Sequence, residues 1–236
     1  MTDSVRQERT TLGAAERLMQ TWVRSAEVEE QSIRLHPPHE ITKGVQTYVT
    51  ISREEGVCGS EIAQELGRQL GWEVLDKNLL DQIAHHFQVS RPMLDHVDET
   101  TPNWVHDVFG TWFDRRLVTH ERYVVQLGRF VLMAARQRHV VFVGRGAQFL
   151  LPPKKGLSVR LIAPLRYRLE QFTLLEEVPM KTAQRLIKER DQGRRDFVRR
   201  HFHRDINDPH LYDLVVNVAS CGIDGSVRLI RTALGQ

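Results

Sequence analysis

The sequence predicts a doubly wound α/β fold, with a five-stranded parallel sheet and helices on both faces, and three observations predict it. Short runs rich in β-branched and aromatic residues recur along the chain as VQTYVTIS, WEVLD, HVVFVG, SVRLIA and YDLVVNV, and such runs form strands. Between them lie stretches with apolar residues at spacings of three and four, the pattern of an amphipathic helix. The runs HVVFVG and SVRLIA are apolar almost throughout, as strands covered on both faces are. Strands alternating with helices build right-handed βαβ units and a parallel sheet.

Taken in order, Leu12, Ala15, Leu18, Met19, Trp22 and Val23 share one helical stripe. This predicts an N-terminal amphipathic helix, ended by the prolines and glycine of LHPPHEITKG. An isolated helix of this length is marginal in water, so the stripe predicts a partner surface: a second copy of the chain, another protein or the core of this one. Residues 1–44 are therefore set apart from a domain over 45–236. VQTYVTIS is its first strand. SEIAQELGRQLG places Ile62, Ala63, Leu66 and Leu70 on one helical face. WEVLD is a second strand and KNLLDQIAHHF a second helix. Further helices are expected over Leu117–Gln137, Leu165–Leu175 and Met180–Arg200, and YDLVVNV is the last element assigned.

With 41% hydrophobic and 27% charged residues, the composition is that of one soluble globular domain. We find no run of about 18 apolar residues, the length of a membrane span, and the polar start MTDSVRQERTT has no apolar signal region. The expected compartment is the cytoplasm. Cys58 and Cys221 show neither zinc nor disulfide spacing, and both are expected to be reduced. The formal charge of +3 is mild, but between Lys181 and Arg204 nine Lys/Arg face only Glu189, Asp191 and Asp196, a local balance of +6. Such a segment is suited to the phosphates of a nucleotide or a nucleic acid; the plain alternative is a solvated helix face. No nucleic-acid reading motif accompanies it.

Ligands of doubly wound sheets bind at the carboxyl ends of the strands. That rule nominates the loop after VTIS, Asp76 after WEVL, Gly144 and Arg145 after VVFV, and the turn after VVNV. The first of these, SREEGVCGS, runs directly into a helix. A glycine-containing turn there faces phosphate with unpaired N–H groups and the positive end of the helix dipole. Gly56 and Gly59 are expected to supply positive φ, and Ser60 to cap the helix or approach a phosphate-bound metal. The usual phosphate loop, GxxxxGK followed by Ser or Thr, is not met. Cys58 falls at its second glycine and Gly59 at its lysine, and only Ser60 agrees. A plain strand-to-helix turn remains open on these residues alone.

The wider stretch TISREEGVCGSEIAQELGRQLGWEVLDKNLL resembles the first βαβ unit of the cytidylate-kinase-like family of P-loop nucleoside-monophosphate kinases. There an SRExGxGG stretch replaces the standard loop and Asp-Lys follows the second strand. VVFVGRGAQFLLP is similar to the family's Gly-Arg-Asp stretch, and ERDQGRRDFVRRHF and DPHLYDLVVNVASCGIDGSV extend the likeness to roughly residues 46–232. The resemblance implies a helical acceptor-binding insertion at about 78–137 and a lid at about 179–208. It implies Mg²⁺ and ATP as cofactors. The lid arginines Arg190, Arg194 and Arg195 match those that clamp phosphates, and Arg190 and Arg194 share a helical face. Arg145 matches an arginine that contacts the acceptor. Asp76 aligns with an aspartate that orients the acceptor phosphate or a metal-bound water, and it is equally suited to cap the following helix. Gly146 stands where the stretch has aspartate and Gln82 where cytidylate kinases carry an arginine, so cytidine specificity is in doubt.

The expected activity is phosphoryl transfer from ATP to a nucleoside monophosphate, CMP-like, or to another small phosphorylated acceptor. The alternatives are a nucleotide-binding regulatory module without turnover and, more weakly, a nucleic-acid binder using the arginine-rich segment. Lys77, Arg53 and the arginines of residues 190–195 are candidates to replace the missing lysine. Lys77 is assigned that role with its strand taken as the neighbour of the first, about 4.8 Å away. His85 and His86 point about 100° apart on a helix, and His201 and His203 lack ligand-spaced partners, so no metal site is assigned to them. Trp104, Phe109, Trp112 and Phe113 are assigned to packing.

Overall fold

The computed structural model describes residues 45–81 and 122–236. The N-terminal helix and linker, Gln82, His85, His86 and the aromatic residues between Trp104 and Phe113 lie outside the described residues, as does most of the acceptor insertion.

The five expected strands form one sheet: β1 Tyr48–Arg53, β2 Glu73–Leu75, β3 Val140–Val143, β4 Gly156–Ile162 and β5 Leu214–Asn217. All neighbours pair in parallel, in the order β2-β3-β1-β4-β5. The central strand β1 is buried along nearly its whole length, because helices cover both faces. Side chains alternate between those faces. Tyr48, Val140 and Phe142 join one core with Leu75, Leu80, Leu127 and Phe130. Val49, Ile51, Val141 and Val143 join the other with Ile62, Leu66, Val216 and Ile230. Each such side chain, taken fully out of water, contributes roughly 1.5–3 kcal/mol.

Helix α1, Gly59–Leu70, buries Ile62, Ala63 and Leu66 as the spacing predicts. A helical segment over 77–81 follows β2. Helix α2, Arg122–Gln137, lies on the opposite face of the sheet from α1. Helices α3, Leu165–Glu176, and α4, Met180–Phe202, pack on each other through Phe172, Ala183 and Ile187.

Two expectations need correction. The chain continues after β5 into helix α5, Val218–Ala233, which the sequence reading did not assign. Asn217 caps it by accepting from the Ala219 N–H, and Gly222 breaks the regular dihedrals at φ 66, ψ −178. Two glycines, at 222 and 225, hid a helix whose core side is carried by Val218, Val227 and Ile230. Second, β2 is not the neighbour of β1, because β3 lies between them. Lys77 therefore stands two strand spacings, about 10 Å, from β1.

Candidate active site

The loop between β1 and α1 folds back on the sheet edge that carries the strand carboxyl ends. Gly56 takes φ 80, and a Cβ there would lie 2.5 Å from the Arg168 carbonyl oxygen; only glycine fits both conditions. The second left-handed residue is Cys58, at φ 55 and ψ 38, rather than the expected Gly59. Gly59 is instead the first residue of α1, and its glycine makes room for the Arg53 side chain, whose Cγ would be 2.9 Å from a Cβ. Ser60 is exposed in the first helical turn, and no side chain caps this helix. The expected Ser60 cap is thus absent, while its hydroxyl stays open to a ligand. The first bond of α1 runs from the Ile62 N–H to the Cys58 carbonyl, and the N–H groups before it face the loop without helical partners.

Beside this loop is a cavity of about 590 Å³, lined by Arg53, Lys77, Arg145, Arg190 and Arg194 together with Glu55. Five sequence-nominated cations therefore converge, from β1, the helical turn after β2, the β3 loop and α4. Arg53 leaves the end of β1, passes over Gly59 and sets its guanidinium against Gly144. Burial, and next the positive charge of Arg194, pull its pKa down to about 10. It therefore carries its charge through the neutral range.

Arg190 and Arg194 share a face of α4, as their spacing predicts, and both reach Glu55. The Nη1 of Arg190 donates to Glu55 Oε1 at 2.7 Å, and Arg194 Nη2 donates to Glu55 Oε2. Burial pushes the Glu55 carboxyl up, but the charge of Arg194 and the hydrogen bonds from both arginines hold it below the ordinary value. Asp191, on the same helix, accepts from the Glu55 N–H at 2.8 Å and from Arg168 Nη1 at 2.6 Å. Arg195 is not among the residues lining the cavity; it bonds to Gln192 on its own helix surface.

On the β2 and β3 side, Asp76 caps the helical turn by accepting from the Leu79 N–H at 2.9 Å. Its side chain is not in the cavity lining. Arg145, at φ 53, donates Nε to Asp81 Oδ1 at 2.5 Å and Nη2 to Oδ2. Tyr123 donates to the same carboxylate at 2.7 Å, and the Arg145 guanidinium lies 4.7 Å from the Phe197 ring centre. Lys77 is pulled below its ordinary pKa by partial burial and then by the Arg145 charge. Gly146 takes φ 66, and a Cβ there would run into the Phe202 ring.

A second cavity, of about 470 Å³, opens on the other side of the loop among Glu54, Arg160, Asn207, Tyr212 and Asn217. Arg160 is buried on β4 and donates to Ser52 Oγ at 2.8 Å. The sequence reading gave no role to Glu55, Asp81, Tyr123, Asp191 or Arg160. Glu55, Asp81, Asp191 and Arg160 lie within stretches quoted above, and Tyr123 within an expected helix, but nothing local marks their roles. Their partners lie far away in the chain, with 135 residues separating Glu55 and Arg190.

Among the described residues no helix is long and apolar enough to cross a membrane. A family model described as the cytidylate kinase-like family matches residues 48–220. The cytidylate kinase of Thermococcus sibiricus is 26% identical over 187 residues, covering 79% of this chain and 86% of that protein. The cytidylate kinase of Pyrococcus horikoshii is 27% identical over 122 residues, which is 52% of this chain and only 63% of the relative's own length. An uncharacterized protein from Eubacterium ventriosum, of known structure, shares the fold with a TM-score of 0.63 at 18% identity, over 81% of this chain and 99% of that one. The matched span runs from the first residue of β1 into α5, and the chain belongs to the cytidylate kinase-like family.

Proposed function

We propose that this chain transfers the γ-phosphoryl group of magnesium-bound ATP to a small phosphorylated acceptor of the nucleoside-monophosphate class. The observation that carries this reading is the convergence of Arg53, Lys77, Arg145, Arg190 and Arg194 on one cavity beside a helix N-terminus. Phosphoryl transfer asks for positioned charge and little covalent chemistry from the protein. The N–H groups at the start of α1 hold the donor phosphates, with the helix dipole favouring their charge. Arg53 takes the part of the missing lysine, since its side chain occupies the space that Gly59 leaves open. Arg190 and Arg194 close over the transferred group and meet the charge that develops on it. Arg145, oriented by Asp81 and Tyr123, binds the acceptor phosphate, and Lys77 adds a second cation on that side.

Among the described residues no three His, Cys, Asp or Glu gather as a metal cage, and Glu55 and Asp191 are engaged with arginines. This donor set fits a magnesium ion brought in on the nucleotide and held mainly by phosphate and water oxygens, with the exposed Ser60 hydroxyl as the protein oxygen nearest the loop. Such an ion neutralises phosphate charge during transfer. The second cavity offers Asn207, Asn217 and Tyr212 to the base of the donor. The crowding of Phe202 against Gly146 leaves no room for the aspartate of the Gly-Arg-Asp stretch, which favours an acceptor other than CMP.

Glycine at position 59 favours a second reading, a regulatory module that binds nucleotide without turnover. The nucleic-acid reading has only the charge of this segment behind it, with no reading motif beside it. A screen of nucleoside monophosphates and small phosphorylated metabolites for ADP release from Mg-ATP separates the readings. Acceptor-dependent release supports the kinase, and saturable ATP binding without it supports the regulatory module.

A further inference from the structure

Glu55 has no part in the transfer described above, yet both of its carboxylate oxygens are engaged. Its carboxylate, 13% exposed, takes one guanidinium on each oxygen, from Arg190 and from Arg194. Two oxygens of one anion gripped by two arginines is the arrangement those arginines would offer a phosphate. We propose that Glu55 is an internal phosphate mimic that latches the lid helix α4 onto the phosphate loop, and that the donor's phosphates must displace it. This rests on the reading of Arg190 and Arg194 as phosphate-binding residues.

The contacts around it separate into a part that stays and a part that lets go. Asp191 joins α4 to the Glu55 backbone N–H and to Arg168, whose Nη1 also donates to the Glu55 carbonyl at 3.3 Å. None of these bonds uses the Glu55 carboxylate, so they persist as a pin when it swings away. Arg190 keeps two further supports, Glu176 at 3.2 Å and the Phe172 ring at 5.1 Å from its guanidinium. Arg194 keeps Asp191 at 3.3 Å. The arginines are thus held near their working positions while the seat between them is filled by a carboxylate. A ligand phosphate carries more charge and more acceptor oxygens than Glu55, which gives the exchange its direction. Removing the carboxylate takes from both guanidinium groups the anion they share, leaving Arg190 only Glu176 and Arg194 only Asp191, and that raises their appetite for an anion.

The test uses the full chain and its Glu55→Gln variant, which keeps the shape and loses the charge. Two measurements are made: amide hydrogen exchange over Met180–Phe202 without ligand, and calorimetric binding of magnesium tripolyphosphate. The latch predicts that the variant exchanges its lid amides about tenfold faster and binds tripolyphosphate about tenfold tighter, the scale of one charge-assisted contact. Exchange in β1 and β3 should be unchanged, which reports an intact fold. Unchanged lid exchange, or equal or weaker tripolyphosphate binding by the variant, overturns the proposal. If neither chain binds tripolyphosphate, the phosphate reading of the arginines falls and the mimic falls with it. Lid exchange in that case still decides whether Glu55 ties α4 down.

Discussion

The two walls of the cavity treat their cations differently. On the wall made by the phosphate loop and α4, Arg190 and Arg194 are answered by Glu55, a carboxylate of the loop itself. On the wall made by the ends of β2 and β3, Arg145 is held by Asp81 and Tyr123, but Lys77 has no ion-pair partner among the described residues. At Arg190 and Arg194 the first wall offers its charge only by exchanging one anion for another. The second offers a standing charge at Lys77 and an arginine whose orientation is fixed in advance. A site that must bind a polyanion tightly only when its lid is engaged and keep a weaker seat open for an acceptor gains from that asymmetry.

The largest expected effect lies on the loop side. Gly56→Ala adds a methyl group 2.5 Å from a backbone oxygen at φ 80, and such strain with a backbone clash costs about 3 kcal/mol or more. Denaturant unfolding should show that loss, together with loss of nucleotide binding. Gly59→Ala meets the Cγ and Cβ of Arg53 at 2.9 and 3.3 Å but no backbone atom and no positive φ, so it should cost less stability than Gly56→Ala and weaken nucleotide binding by moving Arg53. Equal stability losses at the two glycines would erase the distinction between backbone geometry and room for Arg53.

Arg53→Gln should lower kcat about 100-fold, the size of losing one charge-stabilising donor in a transition state. Lys77→Ala should lower it about tenfold and raise KM for the acceptor, because Lys77 stands two strands away on the acceptor wall. The reverse ranking would return the role of the missing lysine to Lys77. On the β3 side, Gly146→Asp drives a side chain into the Phe202 ring at φ 66 and should cost about 2 kcal/mol, seen as a lowered Tm.

The smallest effect is that of pH on the latch. Glu55 is held below its ordinary carboxylate value of 4.5 by the arginines, against its burial. A depressed folded pKa means the contribution is fully present above 4.5 and is lost as pH falls through the lowered value. Arg190 and Arg194 of α4 face this carboxylate, and Asp191 and Glu176 also face those arginines. Lid amides should therefore lose protection relative to their intrinsic exchange below pH 4.5 in the parent chain and change less in Glu55→Gln; identical acid profiles would remove Glu55 from the effect.

Strand and helix positions were legible because each carries a local period. The final helix was not, since Gly222 interrupts its period with a backbone kink. The order of strands is a long-range property that no local pattern encodes, and β3, although it is third in the chain, inserts between β1 and β2. Taking β2 as the neighbour of β1 therefore puts Lys77 too near the loop. The shared face of Arg190 and Arg194 followed from helical spacing alone. Their partner Glu55 did not, because 135 residues separate it from Arg190. Gly59 was given positive φ on the strength of its residue type, whereas Cys58 takes that conformation and Gly59 serves by having no side chain.

The most direct test of phosphoryl transfer through this cavity is ADP release from Mg-ATP, measured for the parent chain and Arg53→Gln across a panel of nucleoside monophosphates and small phosphorylated metabolites. The account predicts one acceptor that raises release saturably in the parent, and a loss of about 100-fold in the variant. Saturable ATP binding with no acceptor raising release, or full turnover in Arg53→Gln, would contradict it.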